Sequence, residues 1–149
     1  MPSVLSAGVL LHRTGPDGAV HVLLAHMGGP FWARKDEGAW SIPKGEHPQT
    51  EDPRDAARRE FAEELGSPAP EGDLRALGTV RSGSKVIAAF ALAGDFDVEH
   101  VVSNTFELEW PPRSGRRQSF PEVDRAAWFD LDTARRKIVK SQLPFIDRL

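Results

Sequence analysis

The chain has 149 residues, 40% of them hydrophobic, a formal charge of −3 and no cysteine. That length suits one domain over 1–149 with a single core, and the missing cysteine excludes disulfide frameworks and thiolate metal sites. The acidic balance argues against a nucleic-acid polymer as partner but leaves small phosphorylated ligands open.

Taken in chain order, the start Met1-Pro2-Ser3-Val4 lacks the basic and then long apolar pattern of a secretory signal. No apolar run reaches the roughly 20 residues of a membrane span, so the expectation is a soluble, cytoplasmic protein without a membrane partner. Ser6 to His12 and Ala19 to His26 are apolar, β-branched-rich runs separated by Thr14-Gly15-Pro16-Asp17-Gly18, the pattern of a hairpin. A loop follows from Met27 through Gly38. It contains Phe31-Trp32, an aromatic pair suited to stacking on a base and equally suited to anchoring the loop on a core. Ala39 to Ile42 then makes a short strand running into Pro43-Lys44-Gly45.

The next helix is the best marked in the sequence. Asp52 is placed to cap its N-terminus, Pro53 takes the first helical position and Gly66 stands where the chain leaves it. Ala57, Phe61 and Leu65 form an apolar stripe. Glu60, Glu63 and Glu64 stand at i, i+3 and i+4, so their carboxylates are neighbours and could converge on one hard cation. On helix pattern alone they suit a solvated face balanced by Arg58 and Arg59 as well, because like charges at this spacing cost only about 0.2–0.5 kcal/mol.

Further on, Arg75 to Arg81 and Lys85 to Ala93 read as a strand pair around Ser82-Gly83-Ser84, with later strands at Thr105 to Trp110 and Ala126 to Phe129. Leu131 to Lys140 and Gln142 to Leu149 carry helical patterns. These elements predict an α/β fold with a mixed sheet. Arg113, Arg116 and Arg117 lie in a Gly/Pro-rich loop and could form a cationic rim or simply be solvated. Glu107 and Glu109 alternate on one strand, so both face the same way, toward a site or toward solvent. His12, His21, His26, His47 and His100 show no zinc-ligand spacing and suit isolated structural or surface roles.

Gly45, Glu51, Arg59, Glu60, Phe61, Glu63, Glu64 and Gly66 together fill a longer pattern, which resembles the Nudix box. Ser67 departs from it, standing where the family prefers an aliphatic residue after the helix. The resemblance implies a Nudix-type α/β/α sandwich and hydrolysis of a phosphoanhydride in a nucleoside diphosphate linked to another group. It also implies Mg²⁺, with Mn²⁺ as substitute, and a small-molecule nucleotide or polyphosphate substrate. Carried over residue by residue, Glu60 and Glu64 become ligands and Glu63 a ligand or supporting group. The carbonyl of Gly45 completes the sphere, Arg59 and Glu51 orient the carboxylates, and Glu60 could help to activate water. The family often adds an acid outside the box, and Glu122, just before the late strand, is the favoured candidate over Glu107 and Glu109.

Trp40-Ser41-Ile42-Pro43-Lys44-Gly45 is similar to the approach to the box in the diadenosine tetraphosphate hydrolase branch and its diphosphoinositol-phosphate relatives. That likeness puts Lys44 within reach of polyphosphate. Trp32, Arg113 and Arg116 are the further candidates for substrate contacts. Nucleoside triphosphate pyrophosphatase activity, including on oxidised nucleotides, is the alternative activity, and a non-hydrolysing nucleotide-binding module of the same fold is the alternative class.

Overall fold

The computed structural model describes residues 3–149. Met1 and Pro2, part of the segment weighed as a secretory signal, lie outside the described residues. Strands β1 (Val4–Thr14) and β2 (Val20–Met27) form the expected hairpin, with His12 opposite Val22 and Thr14 opposite Val20. Its turn is closed by Asp17, whose Oδ1 accepts from the Ala19 amide at 3.0 Å.

Away from the turn β1 and β2 part company, and the chain after the loop fills the wedge between them. Strand β3 (Trp40–Ser41) pairs with Ala25 and His26 of β2, and β4 (Lys44–His47) runs antiparallel to the start of β1, with Gly45 opposite Ala7. The sequence reading had a strand over Ala39 to Ile42 and none at β4. Lys44-Gly45-Glu46-His47 has no apolar alternation, and backbone pairing to β1 alone makes it a strand. Helix α1 (Pro53–Leu65) follows at once.

Strands β5 (Arg75–Ser82) and β6 (Lys85–Ala93) are antiparallel, and β6 lies parallel to β1 from Val4 opposite Lys85 to His12 opposite Ala93. Strands β7 (Thr105–Glu109) and β8 (Arg117–Pro121) form a separate two-stranded sheet, and β9 (Val123–Asp130) pairs along the outer edge of β2. Strand β8 was not expected, because Arg-Gln-Ser-Phe-Pro carries little strand pattern without its partner.

Alternation along the strands sorts the core onto two faces. Val9, Leu11 and Leu23 pack with Ala57, Phe61 and Leu65 of α1. Leu10, Val22 and Leu24 pack on the other face with Ile138, Phe145 and Ile146. Helices α2 (Leu131–Lys137) and α3 (Leu143–Arg148) supply that second layer, completing the α/β/α sandwich. Helix α2 is shorter than the Leu131 to Lys140 expected. The β-branched Ile138 and Val139 leave it to bridge with Trp40, and the Val139 amide donates to the Trp40 carbonyl at 2.8 Å. Among the described residues, no helix is long and apolar enough to cross a membrane.

Candidate active site

Helix α1 begins and ends as its sequence dictates. Asp52 accepts from the Arg54 amide at 2.7 Å, Pro53 opens the first turn, and Gly66 ends the helix at φ 82° with its amide on the Ala62 carbonyl. The apolar stripe seats α1 on the sheet with its glutamates beside β4.

Arg59 sits at the centre of those acids. Its Nε and Nη2 donate to the two oxygens of Glu51 at 2.9 and 2.8 Å, a bidentate pair, while Nη1 donates to Glu60 Oε1 at 2.8 Å and to Glu63 at 3.3 Å. These bonds hold the Arg59 guanidinium firmly charged, and the same contact pulls the Glu51 carboxyl below its usual range. Glu64 Oε2 accepts from the Lys44 amide at 3.1 Å. Box residues from β4, the loop and α1 are thus brought together.

The carboxylates are costly to keep ionised there. Burial pushes Glu64 up to about 8 against the pull of Lys44, with Glu122 and Glu60 adding to the rise. Burial likewise raises Glu60, with Glu63 and Glu122 adding repulsion, and raises Glu122, where Glu63 adds to it. Lys44 is pulled down by its own burial.

Among the described residues, no three acidic or histidine side chains are drawn around one point closely enough to hold a metal ion. Glu60 and Glu63 are turned to Arg59 and Glu64 to the Lys44 amide. The donor set nonetheless fits a hard divalent cation: Glu60, Glu63, Glu64 and Glu122 line one polar cavity of about 360 Å³ with Gly45. Every donor there is oxygen, and several carry raised pKa values that a cation would relieve. Gly45 is needed for closeness rather than for a special φ, since a Cβ on it would lie 1.9 Å from Glu60 Oε2.

A second cavity of about 380 Å³ adjoins the first, and Lys44, Glu64, Lys85 and Glu122 line both. Its apolar walls include Trp32, Met27, Ile87 and Val139. The Phe31-Trp32 pair therefore divides. Trp32 faces the cavity, whereas Phe31 is 58% exposed and meets Trp110 edge-on with ring centroids 5.3 Å apart.

Other candidates lie elsewhere. Arg113 and Arg116 are exposed at the tip of the β7–β8 hairpin and line neither cavity, while Arg117 pairs with Glu107 at 3.6 Å. Glu107 and Glu109 both face solvent, and Glu109 accepts from the Gly115 amide at 3.0 Å. Glu122 is the acid outside the box that reaches both cavities.

Lys85 escaped the sequence reading. It lies 40 residues beyond the start of the box and carries no motif; only the β1–β6 register, with Lys85 opposite Val4, brings it beside β4, where it pairs with Glu46 at 3.5 Å. His26, expected in a structural or surface role, is buried, and its partners Asp124 and Lys35 could not be read from a histidine near the end of an apolar strand.

A family model described as the NUDIX domain matches residues 2–149, and the chain belongs to that family. A Mycobacterium tuberculosis protein named "Putative 8-oxo-dGTP diphosphatase 3" is 38% identical over 71 residues, 48% of this chain and 31% of the relative's length. The match thus spans about a third of that longer protein. The NUDIX domain of Shewanella oneidensis NrtR, solved in complex with ADP ribose, superposes with a TM-score of 0.65 at 18% identity, covering 99% of this chain and 86% of that one. A C. elegans Ap4A hydrolase in a binary complex gives 0.63 at 19% identity, covering 97% and 93%. At these identities the likeness to the solved structures is one of fold.

Proposed function

We propose that this chain, read as one Nudix domain over 1–149, is a divalent-metal-dependent pyrophosphohydrolase. It hydrolyses a phosphoanhydride in a nucleoside diphosphate linked to another moiety, with a dinucleoside polyphosphate such as diadenosine tetraphosphate as the leading substrate. The observation that carries the reading is the adjacency of the two cavities. A carboxylate cluster suited to a cation opens beside an apolar cavity, and two lysines stand where they meet.

Glu60 and Glu64, with Glu63 and the Gly45 carbonyl, would hold Mg²⁺, or Mn²⁺ in its place. When bound, such an ion neutralises phosphate charge and lowers the pKa of coordinated water. Arg59, itself anchored by Glu51, orients Glu60 and Glu63. Glu122 takes the proton from the attacking water; its raised pKa moves it toward the range a general base needs. Water oxygen bonds to phosphorus as the bridging P–O bond breaks, and the leaving phosphate carries away the bridging oxygen. Lys44 and Lys85 face the phosphates, and Trp32 stacks on the base.

Nucleoside triphosphate pyrophosphatase activity is the second reading, favoured by the name of the M. tuberculosis relative. Incubating the protein with tetraphosphates, triphosphates and oxidised triphosphates under a series of divalent salts, with products weighed by mass spectrometry, separates the two. Cleavage of diadenosine tetraphosphate as the fastest reaction supports the first reading; pyrophosphate release from triphosphates as the fastest supports the second. Tight nucleotide binding with no metal-dependent cleavage would return the chain to the class of binding modules.

A further inference from the structure

His26 is fully buried at the end of β2, and the chemistry above makes no use of it. Its Nδ1 lies 2.8 Å from Asp124 Oδ1 and its Nε2 lies 2.7 Å from the Lys35 carbonyl oxygen. Carboxylate and carbonyl oxygens only accept, so both contacts are hydrogen bonds when each ring nitrogen carries a proton. The ring therefore bridges two segments distant in sequence.

Both segments carry parts of the site. Lys35 closes a turn on Trp32, its amide donating to the Trp32 carbonyl at 2.9 Å, and its ammonium stands 5.1 Å above the Trp32 ring. Asp124 follows Glu122 by two residues. The ladder between β2 and β9 slips at this place: His26 is opposite Arg125 but Met27 is opposite Val123, which leaves Asp124 as the extra residue of a bulge. Bulges re-aim side chains. Here the bulge delivers Asp124 to His26, while the Glu122 backbone is held by the Gly28 amide and the Asn104 carbonyl, each at 2.9 Å.

We propose that His26 is a positioning residue: its bonds to Asp124 and to the Lys35 carbonyl lock the bulge that aims Glu122 at the carboxylate cluster and fix the loop that holds Trp32 against the apolar cavity. The assignment rests on the hydrolytic reading and on Glu122 as its base. A side chain of similar volume fills the space but cannot donate in two opposite directions.

The test is a double-mutant cycle on whichever nucleotide the wild type hydrolyses best, with thermal melts run alongside. His26→Gln and Asp124→Ala should each lower kcat by about 10–100-fold and raise KM. The pair His26→Gln/Glu122→Gln should be no slower than Glu122→Gln alone, within about twofold, because residues acting as one unit are not additive. Asp124→Asn, which keeps an acceptor for Nδ1, should recover most of the rate. A purely structural role would lower Tm and multiply with the Glu122 effect. An unchanged kcat in His26→Gln, multiplicative losses, or a Glu122→Gln variant as fast as wild type would each overturn the assignment. Should His26→Gln fail to fold, Asp124→Ala combined with Glu122→Gln decides the same question. An inactive wild type would overturn the hydrolytic reading and this assignment with it, whereas an active wild type with multiplicative losses overturns the assignment alone.

Discussion

Gly45 and Glu60 approach so closely that a methyl group on the glycine would lie 1.9 Å from the carboxylate Oε2. Strand β4 presses its backbone against α1 at this point, and any side chain there displaces Glu60. Gly45→Ala should therefore leave the fold cooperative but lower kcat by about 100-fold, the effect of moving a reacting group by about 1 Å. Steady-state kinetics beside a melting curve check this; wild-type turnover in Gly45→Ala would show that Glu60's place is not critical.

Glu60→Gln and Glu64→Gln remove charge without removing bulk. Each should cost at least about 100-fold in kcat, more than is usual for a group that only supports a ligand, and Glu64→Gln should raise the metal-free Tm near neutral pH, because burial disfavours its ionised carboxyl. Either variant at wild-type speed would remove that residue from the assigned chemistry.

Glu122→Gln should slow turnover by about 100-fold or more, as loss of a general base does, while Glu107→Gln and Glu109→Gln should change it little. Glu107 pairs with Arg117 and Glu109 accepts from the Gly115 amide, both within the β7–β8 hairpin. The opposite ranking would move the proton acceptor to β7.

Lys85→Gln should raise KM for a polyphosphate substrate by about tenfold, the equivalent of about 1.4 kcal/mol, with Lys85→Arg restoring most of it. Titrating substrate against each variant measures this. An unchanged KM would place the phosphates away from the junction of the two cavities.

The raised Glu64 carboxyl gives a pH dependence with a definite sign. Folded, it is pushed up to about 8, chiefly by burial, whereas its ordinary value is 4.5. Between those values the folded chain holds a proton that the unfolded chain has released, so stability falls as pH rises through this window. The lowered Lys44 acts with the opposite sign, in a window that ends at the ordinary lysine value of 10.5. With a chelator present, Tm should decline from about pH 5 to about pH 8, and magnesium should flatten the decline by taking over the proton's role. A chelated Tm that rises across this range would contradict the burial of Glu64.

Much of this was legible in the sequence because its signals are local. Asp52, Pro53 and Gly66 fix α1 through bonds within a few residues, and the i, i+3, i+4 spacing of the glutamates needs no tertiary information. What carries no strand pattern of its own, or is set by a partner distant in sequence, was not legible. Strand β4 has no alternation of its own, β8 exists only against β7, and α2 stops early because Ile138 and Val139 find Trp40. The same holds within the site. Trp32 and Phe31 are neighbours in sequence yet face different surroundings, and Lys85 joins Lys44 only through the parallel register of β6 with β1.

The central claim is that Glu60, Glu63 and Glu64 grip a divalent cation that makes water reactive toward phosphorus. Its most direct test is a crystal grown with Mn²⁺ and a non-hydrolysable nucleotide, with the metal located by anomalous scattering. The expected result is a peak within the cavity lined by Glu60, Glu63, Glu64 and Gly45. A peak elsewhere, together with no nucleotide cleavage under any divalent salt, would contradict it.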